Sequence, residues 1–421
     1  MTSTQIADVP INRQRLLERF LRYVRVGTSA DPTSNTYPSS PEQADLNRIL
    51  RDELLAMSVT DAHQDENALT WGTIPATNGG GTPTVAVVAH VDTSPDAPGD
   101  NVMPQVIESY EGGDIELPSG KMITVATARE LEDLVGTTLI TTDGTTLLGG
   151  DDKAGVAIIM ELALTLIENP HLSHGPVKLM FTCDEEIGHG TDKIDLQKLD
   201  ATVAYTLDSG GEGVLDVETF SADAATVHFT GYNIHPAIAK DRLVNALRGA
   251  ADFVAALPRD TCTPETTEDR EGFIHPHRIS GGNGEATVDL ILRSFETPQL
   301  TEYAKIVRDT ADKVVEKTPG LSVDVTIRQQ YRNLREGLDK LPESVELAEQ
   351  AFANLGRECK KTIVRGGTDG SRLTEKGLPT PNLSSGQHNI HSVTEFACLD
   401  EMEHAVEHLI ELLRLWGEVR S

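Results

Sequence analysis

The chain has 421 residues, of which 38% are hydrophobic and 24% are charged, and its formal net charge is −30 at pH 7. This length accommodates two or three domains, and the strongly negative charge argues against nucleic acid and anionic membrane surfaces as partners. The polar N-terminus shows no secretory signal, and no window approaches the ~20 apolar residues of a membrane span. Four scattered cysteines fit a reducing compartment, so we predict a soluble, cytoplasmic protein.

The first half of the chain alternates between strand and helix patterns. Apolar residues at helical spacing predict helices over residues 12–24 and 45–57. The run TVAVVAHVD, residues 84–92, is typical of a strand buried on both faces of a parallel sheet, and residues 96–120 predict a long loop. Further strands are predicted over residues 138–142, 177–181 and 203–207. The alternation predicts an α/β domain with a mixed, largely parallel sheet flanked by helices.

The stretch LLGGDDKAGVAIIMELAL, residues 147–164, predicts a loop that enters a helix with Asp151 and Asp152 in its first turn. Taken alone, these acids are explained equally well as helix caps and as functional groups. Other polar residues, however, directly follow predicted strands: His90, Asp92, Glu185, Glu186 and Asp208. Because ligands bind at the carboxyl ends of parallel strands, we expect all of these side chains to meet at one edge of the sheet.

The pattern changes at about residue 220 and returns after about residue 334. The elements predicted between these points are strands over residues 224–230, 285–295 and 322–329 and helices over residues 236–257 and 298–317. They fit a split βαβ module of the order β-α-β-β-α-β, which is ferredoxin-like. Helices over residues 344–355 and 397–415 then resume the first pattern. We therefore predict a catalytic domain of residues 1–219 and 335–421 and an inserted domain of residues 220–334.

Two imidazoles and several carboxylates, with no cysteine among them, form a harder ligand set than a structural zinc site has. The candidates are His90, Asp92, Asp151, Glu185, Glu186, Asp208 and His391. This number suffices for two zinc ions that share one bridging ligand. Hydrolysis also needs a carboxylate that takes a proton from water and returns it to the leaving amine. Since adjacent Glu185 and Glu186 cannot both face one point, one can bind metal while the other acts as the base.

Five motifs, in order along nearly the whole chain, resemble the peptidase T family of tripeptide aminopeptidases. They are HVDTSPD (90–96), TTDGTTLLGGDDKAG (141–155), FTCDEEIG (181–188), YTLDSGG (205–211) and VRGGTDGSRL (364–373). The family belongs to a wider group of dinuclear zinc peptidases and deacylases. The resemblance implies a zinc-peptidase catalytic domain with two zinc ions per subunit, for which cobalt or manganese would be substitutes.

Carried over by position, the resemblance assigns a role to each candidate. The implied ligands of one zinc are His90, Asp151 and Asp208, and those of the other are Asp151, Glu186 and His391. Asp151 would thus bridge the ions, a choice over Asp152 that alignment to the D-x-K pattern makes. Glu185 would be the general base that activates the zinc-bridging water, and Asp92 would orient His90.

For the ligand His391, a second histidine in the same segment is an alternative. Both His388 and His391 lie in QHNIHSVT, residues 387–394, which is only loosely similar to the family. His391 is selected because Asn389 precedes it and Glu395 follows it at the matching spacing.

The resemblance also implies that the inserted domain is a lid that mediates homodimerisation. In GYNIHP, His235 would reach the site of the other subunit as an oxyanion donor, although Ala237 stands where the family usually has glycine. Arg293 and Arg365 would bind the peptide carboxylate, a role that suits a bidentate guanidinium.

These observations predict a metal-dependent exopeptidase that releases the N-terminal residue from tripeptides. One alternative is a related dinuclear zinc dipeptidase or N-acyl amino acid deacylase on the same scaffold. A catalytically silent metal-binding scaffold is disfavoured, because the proposed base, bridge and both histidines are all present.

Overall fold

The computed structural model describes Val9 and residues 11–420, which form two compact units. The first unit comprises the chain up to Val217, Gly337–Thr362 and the residues from Thr368 on. The second comprises Glu218–Glu336 and Ile363–Gly367. Among the described residues, no helix combines the length and the apolar character that crossing a membrane requires.

The helices, in chain order, are α1 (Arg13–Tyr23), α2 (Pro41–Ala56), α3 (Gly150–Glu168), α4 (Leu196–Leu199), α5 (Ala246–Ala256), α6 (Thr297–Lys317), α7 (Arg335–Leu338), α8 (Glu343–Asn354), α9 (Asp369–Glu375) and α10 (Leu399–Trp416). The strands are β1 (His63–Gln64), β2 (Thr70–Ile74), β3 (Val85–His90), β4 (Gln105–Ile107), β5 (Ile115–Glu116), β6 (Met122–Ile123), β7 (Leu139–Thr141), β8 (Val177–Thr182), β9 (Val203–Gly210), β10 (Val214–Thr219), β11 (Ser221–Thr230), β12 (Phe273–Gly281), β13 (Glu285–Ser294), β14 (Ser322–Tyr331), β15 (Lys360–Val364), β16 (Asn382–His388) and β17 (Phe396–Cys398).

The large sheet follows the order β1-β2-β8-β3-β9-β16-β17-β7-β4, and β10 pairs with β16 and β15. Its central strands β8, β3, β9 and β16 are parallel, whereas the flanking pairs are antiparallel. Helix α3 packs against β3 and β9, and α10 packs against β16. The predicted mixed sheet with flanking helices is thus confirmed, with the parallel pairing confined to its centre.

The parallel centre of the sheet determines where the polar strand ends lie. All six residues of β3 are buried, as the apolar run predicts. Strand β3 ends at His90, β8 ends at Thr182, three residues before Glu185, and Asp208 lies near the end of β9. Strand β16 ends at His388, so the segment with His391 follows it at the same edge. The residues at or after the ends of these four parallel strands therefore lie together at the carboxyl edge of the large sheet.

Two predictions for the first unit need correction. The predicted long loop over residues 96–120 contains strand β4, which pairs with β7, and strand β5, which pairs with β6. Asp151 and Asp152 lie before the regular part of α3, because their ψ angles of 103° and 34° are not helical. The side chain of Asp152 accepts a hydrogen bond from the backbone N–H of Gly155 at 3.1 Å, which is the geometry of a helix cap.

In the second unit, four antiparallel strands follow the order β12-β13-β11-β14, and α5 and α6 pack against them. The chain order is the predicted β-α-β-β-α-β. The helix predicted over residues 236–257 is instead a single 3₁₀ turn, Pro236–Ile238, followed after an interval by α5. Helix α5 begins late because the side chain of Asn245 caps it, accepting from the N–H of Arg248.

A buried histidine couples the core of the first unit to pH. His408 on α10 stacks on Phe352 with ring centroids 3.6 Å apart, and its Nε2 donates to the backbone oxygen of Ala348 at 3.0 Å. Burial lowers the pKa of His408 to about 4. Because an unfolded histidine has a pKa of about 6.5, the unfolded chain binds the extra proton first as the pH falls.

We therefore expect the contribution of His408 to stability to be complete above pH 6.5 and to be lost as the pH falls towards 4. The linkage amounts to about 3 kcal/mol of unfolding free energy. In denaturant titrations between pH 7 and pH 4.5, His408→Gln should lose less stability than the wild type. His171→Gln, which changes an exposed histidine, is the matched control and should follow the wild type. Equal slopes for His408→Gln and the wild type would contradict this account.

Candidate metal centre

Two of the predicted ligands contact the imidazole of His90 at the end of β3. Its Nε2 lies 3.0 Å from Oδ1 of Asp151 and 3.6 Å from Oδ1 of Asp208. The side chains of His90 and Asp151 are almost completely buried, and that of Asp208 is 13% exposed. The structure thus brings one predicted ligand group together in a largely buried site.

The second predicted group surrounds the other oxygen of Asp151. Nε2 of His391 lies 3.3 Å from Oδ2 of Asp151 and 3.0 Å from Oε2 of Glu186. The Asp151 carboxylate therefore lies between two imidazoles and turns one oxygen to each, which is the position that a bridging ligand requires. Asp152 faces away from the imidazoles and caps α3. Of the two adjacent acids, Asp152 is thus the helix cap and Asp151 is the candidate functional group.

The rival histidine is engaged elsewhere. Nε2 of His388 lies 2.6 Å from Oε2 of Glu401, and its ring stacks on Phe396 with centroids 4.7 Å apart. Of the two histidines, His391 is the one that contacts Asp151 and Glu186.

The donor atoms fit a metal ion in spacing and in chemistry. The ligand atoms of His90, Asp151 and Glu186 all lie within 4.8 Å of one another, and so do those of His90, Glu185 and Asp208. Oε1 of Glu186 is buried and finds no hydrogen-bond donor among the described residues, which a polar atom at such a position normally has. Imidazole nitrogens and carboxylate oxygens together suit a divalent cation such as zinc.

The electrostatics of the site also favour a cation. Burial and the neighbouring charge of Asp151 raise the pKa of Glu186 to about 7 and that of Asp208 to about 7. Contacts with Asp151 and Glu186 raise the pKa of His391 to about 11. Glu186, Asp208 and His391 therefore bind protons more strongly than such groups usually do, and a metal ion binds such groups by taking the place of protons.

Asp92 makes contacts beyond the one predicted for it. Its carboxylate accepts hydrogen bonds from the backbone N–H groups of Glu185 and Glu186, both at 3.1 Å. Nδ1 of His90 lies 3.1 Å from the backbone oxygen of Asp92 and 3.4 Å from its Oδ1. Asp92 thus touches both the first histidine and the segment that carries the two glutamates.

Glu185, the predicted base, is held by a residue that the sequence did not single out. Its Oε1 accepts a hydrogen bond from the backbone N–H of Asp369 at 3.2 Å. Burial, and then the nearby charge of Asp369, raise the pKa of Glu185 well above its usual range. The carboxylate of Asp369 in turn accepts from Oγ1 of Thr182 at 3.0 Å.

Sequence reasoning also missed Asp96 and Glu395. Oδ2 of Asp96 lies 3.2 Å from Nδ1 of His391, where a carboxylate orients a ligating imidazole. Glu395 accepts three backbone hydrogen bonds from the loop that carries Asp151. Asp96 and Asp369 lie within quoted motifs and Glu395 was noted for its spacing, but no pattern of residue types indicated what these side chains contact.

The remaining predicted site residues belong to the second unit. His235 is exposed, and its Nδ1 accepts from the backbone N–H of Ala237 at 3.2 Å. The guanidinium of Arg293 lies 5.4 Å from the ring centroid of Tyr331, and its Nη1 donates to the backbone oxygen of Leu292 at 3.0 Å. Their predicted roles towards substrate stay predictions.

Arg365 has several partners within the second unit. Its Nη1 donates to the backbone oxygens of Asp269 and Glu271 at 2.8 and 2.9 Å, and its Nη2 donates to Oγ1 of Thr267 at 3.0 Å. The guanidinium also lies 5.2 Å from the ring centroid of Phe220. To bind a substrate carboxylate, Arg365 has to give up some of these contacts.

Comparison with known proteins identifies the family of the chain. Residues 146–415 match the model of Peptidase family M20/M25/M40. A peptidase T of Geobacillus thermodenitrificans is 41% identical over 411 residues, which are 97% of this chain and 100% of the relative.

Solved structures give the same fold. The aminopeptidase PepT of Bacillus cereus has a TM-score of 0.76 at 23% identity, covering 97% of this chain and 100% of its own. A Staphylococcus aureus tripeptidase has a TM-score of 0.76 at 22% identity with the same coverage. A dinuclear metal binding peptidase of family M20 from Bacillus subtilis has a TM-score of 0.64 at 14% identity, covering 96% of this chain and 98% of its own. The chain belongs to Peptidase family M20/M25/M40 and, within it, to the peptidase T family.

His388 at the end of β16 and His391 just after it allow a direct test of the ligand group formed by Asp151, Glu186 and His391. We expect His391→Gln to reduce the metal bound after loading and desalting by about one ion per chain, because Asp151 and Glu186 lose the imidazole they share. His388→Gln keeps a donor for Glu401 and should retain the wild-type metal content. Metal analysis by mass spectrometry measures both, and a loss confined to His388→Gln would reverse the assignment.

Proposed function

We propose that this protein is a metal-dependent aminopeptidase that releases the N-terminal residue of tripeptides. The observation that carries the proposal is the position of Asp151 between His90 and His391, with Glu186, Asp208 and the half-buried Glu185 around it. The relatives support the substrate class, since one is named peptidase T, a structural neighbour is an aminopeptidase and another is a tripeptidase.

Two zinc ions are the proposed cofactors, and cobalt or manganese are substitutes with similar ligand preferences. His90, Asp151 and Asp208 would hold one ion, and Asp151, Glu186 and His391 the other. The dinuclear metal binding of a structural neighbour supports the count of two. When bound, the ions would polarise the scissile carbonyl and lower the pKa of the attacking water.

Glu185 is the proposed general base and acid. The N–H of Asp369 occupies its Oε1, so the other oxygen is available for the water proton. As the water oxygen bonds to the carbonyl carbon, the carboxylate takes that proton, and it returns the proton to the peptide nitrogen when the C–N bond breaks. The raised pKa of Glu185 suits a group that has to be both acceptor and donor near neutral pH.

Recognition of the peptide ends is proposed for the second unit. Arg293 and Arg365 would bind the substrate carboxylate, and His235 would donate to the oxyanion across a homodimer in which this unit is the lid. This part rests on the family resemblance, and the exposure of His235 is compatible with it. A cytoplasmic location is supported by the four unpaired thiols, Cys183, Cys262, Cys359 and Cys398.

Replacing Glu185 by Gln separates proton transfer from metal binding. We expect Glu185→Gln to lower kcat by about 10²–10⁴-fold, because the amide cannot take the water proton, while two metal ions remain bound. Stopped assays on a tripeptide and metal analysis of the same sample measure the two quantities. Glu66→Gln, an exposed position, is the control with unchanged activity. A Glu185→Gln enzyme with near wild-type kcat would remove Glu185 from the mechanism.

The substrate class is tested with an unblocked tripeptide, its N-acetylated twin and a dipeptide, each incubated with zinc-loaded protein. We expect the first amino acid to be released from the unblocked tripeptide, with little turnover of the other two compounds. Cleavage of the acetylated twin would instead identify a deacylase, and preference for the dipeptide a dipeptidase. No turnover with two metal ions bound would favour the silent scaffold.

A further inference from the structure

We propose that Glu395 is a positioning residue that fixes the distance between Asp151 and His391 and thereby sets the affinity of the metal site they share. The inference rests on the proposed function insofar as that function requires a metal at these ligands. The geometry that carries it is a single buried carboxylate that joins the two loops from which these ligands come.

The carboxylate of Glu395 is fully satisfied by one short stretch of backbone. Its Oε2 accepts from the N–H groups of Leu148 and Gly149 at 2.7 and 2.8 Å, and its Oε1 accepts from the N–H of Asp151 at 3.0 Å. The residue is 1% exposed, so water does not compete for these bonds. Hydrogen bonds from backbone N–H groups to a charged acceptor are among the stronger ones in proteins.

These N–H groups fix the backbone on both sides of Gly150. Gly149 has a φ of 78°, in the left-handed region, and a Cβ added at Gly150 would lie 3.1 Å from Oε1 of Glu395. The two glycines therefore let the chain wrap closely around the carboxylate. Asp151 follows directly, so its direction towards the imidazoles depends on this wrapped conformation.

We call the Glu395 carboxylate and its bonds to the backbone of residues 148–151 the clamp. Its other end is the segment that carries His391. Glu395 follows His391 by four residues, and its N–H donates to the backbone oxygen of Ser392 at 3.1 Å. A shift of Glu395 thus moves the turn that begins beside His391. The same side chain holds the backbone of Asp151. The relative position of Asp151 and His391 therefore depends on Glu395 as well as on the sheet.

Substitution by Gln conserves the size of the side chain but breaks this pattern. If the amide oxygen accepts from Leu148 and Gly149, the amide NH₂ faces the N–H of Asp151, which places two donors against each other. The reverse orientation leaves two buried N–H groups without an acceptor. Substitution by Asp keeps both oxygens and the charge but shortens the side chain by one methylene.

The experiment compares the wild type, Glu395→Gln, Glu395→Asp and Glu161→Gln in zinc titrations of metal-free protein. Glu161 is the matched control, because it is a fully buried glutamate on α3 whose partners are Arg15 and Arg19 and not the metal-site backbone. Visible spectra of the cobalt-loaded proteins and melting temperatures of the metal-free proteins accompany the titrations.

We expect Glu395→Gln to weaken zinc binding by about 10–100-fold at the ion that His391 would hold, as loss of a supporting residue does, with a smaller effect on the other ion that shares Asp151, and to change the cobalt spectrum. Glu395→Asp should recover part of this affinity, and it keeps the test open if the Gln variant does not fold. Glu161→Gln should lower the melting temperature without changing either zinc affinity. Wild-type zinc binding and spectrum in both Glu395 variants, or equal weakening of both equivalents, would overturn the proposal.

The outcome also separates this inference from the proposed function. A wild type that binds two zinc ions but does not cleave tripeptides would contradict the proposed activity and leave the clamp intact. A wild type without a second zinc equivalent would overturn the dinuclear centre and the role of Glu395 together.

Discussion

At the carboxyl edge of the large sheet, carboxylates are packed against one another in a largely buried site, and their charge has to be compensated there. Backbone N–H groups supply much of the compensation: those of residues 185 and 186 bind Asp92, that of residue 369 binds Glu185, and those of residues 148, 149 and 151 bind Glu395. Lys153, fully buried nearby, has a pKa lowered to about 7 by burial, so it carries only part of a positive charge at neutral pH. The backbone thus sets the direction of the acids, and metal ions would supply the remaining positive charge.

The start of α3 shows how this arrangement separates two neighbouring acids. The carboxylate of Asp152 accepts from the backbone N–H of Gly155, three residues later in the chain, at 3.1 Å and from the backbone N–H of His90 at 3.3 Å. Asp151 points outwards to both imidazoles because its ψ of 103° is that of an extended residue. A regular helix through both residues would instead place their side chains about 100° apart around one axis. The departure from helical geometry thus accompanies the contacts of Asp151 with both histidines.

The sequence predicted the parts of the fold whose residue types repeat with the period of their element. Strand β3 is a continuous apolar run, and β13 alternates between buried and less buried positions along its length. Strand β16, although buried, was missed because its residues are polar and bind neighbours through their side chains: Asn382 accepts from the N–H of Asp208, and Ser385 donates to the backbone of Ser209. His90, Glu186 and Asp208 could be named because they follow predicted strands, whereas the roles of Asp151 and His391 came from the family resemblance. Asp96, Asp369 and Glu395 could not be assigned, since a side chain that contacts residues far along the chain has no spacing in the sequence that reveals it.

Glycines at the edge of the site explain how so many acids fit beside a helix and a strand. A Cβ at Gly155 would lie 2.4 Å from Oδ1 of Asp152 and 2.5 Å from the backbone oxygen of Leu207, so any side chain there would push α3 away from β9. Strand β9 carries Asp208 one residue beyond Leu207, and α3 follows Asp151, so that movement would separate ligands of the same proposed metal ion. The spacing of the metal centre is thus set by helix–strand packing as well as by hydrogen bonds. Small residues in the sequence GGDDKAG are consequently as necessary to the site as the carboxylates that they accommodate.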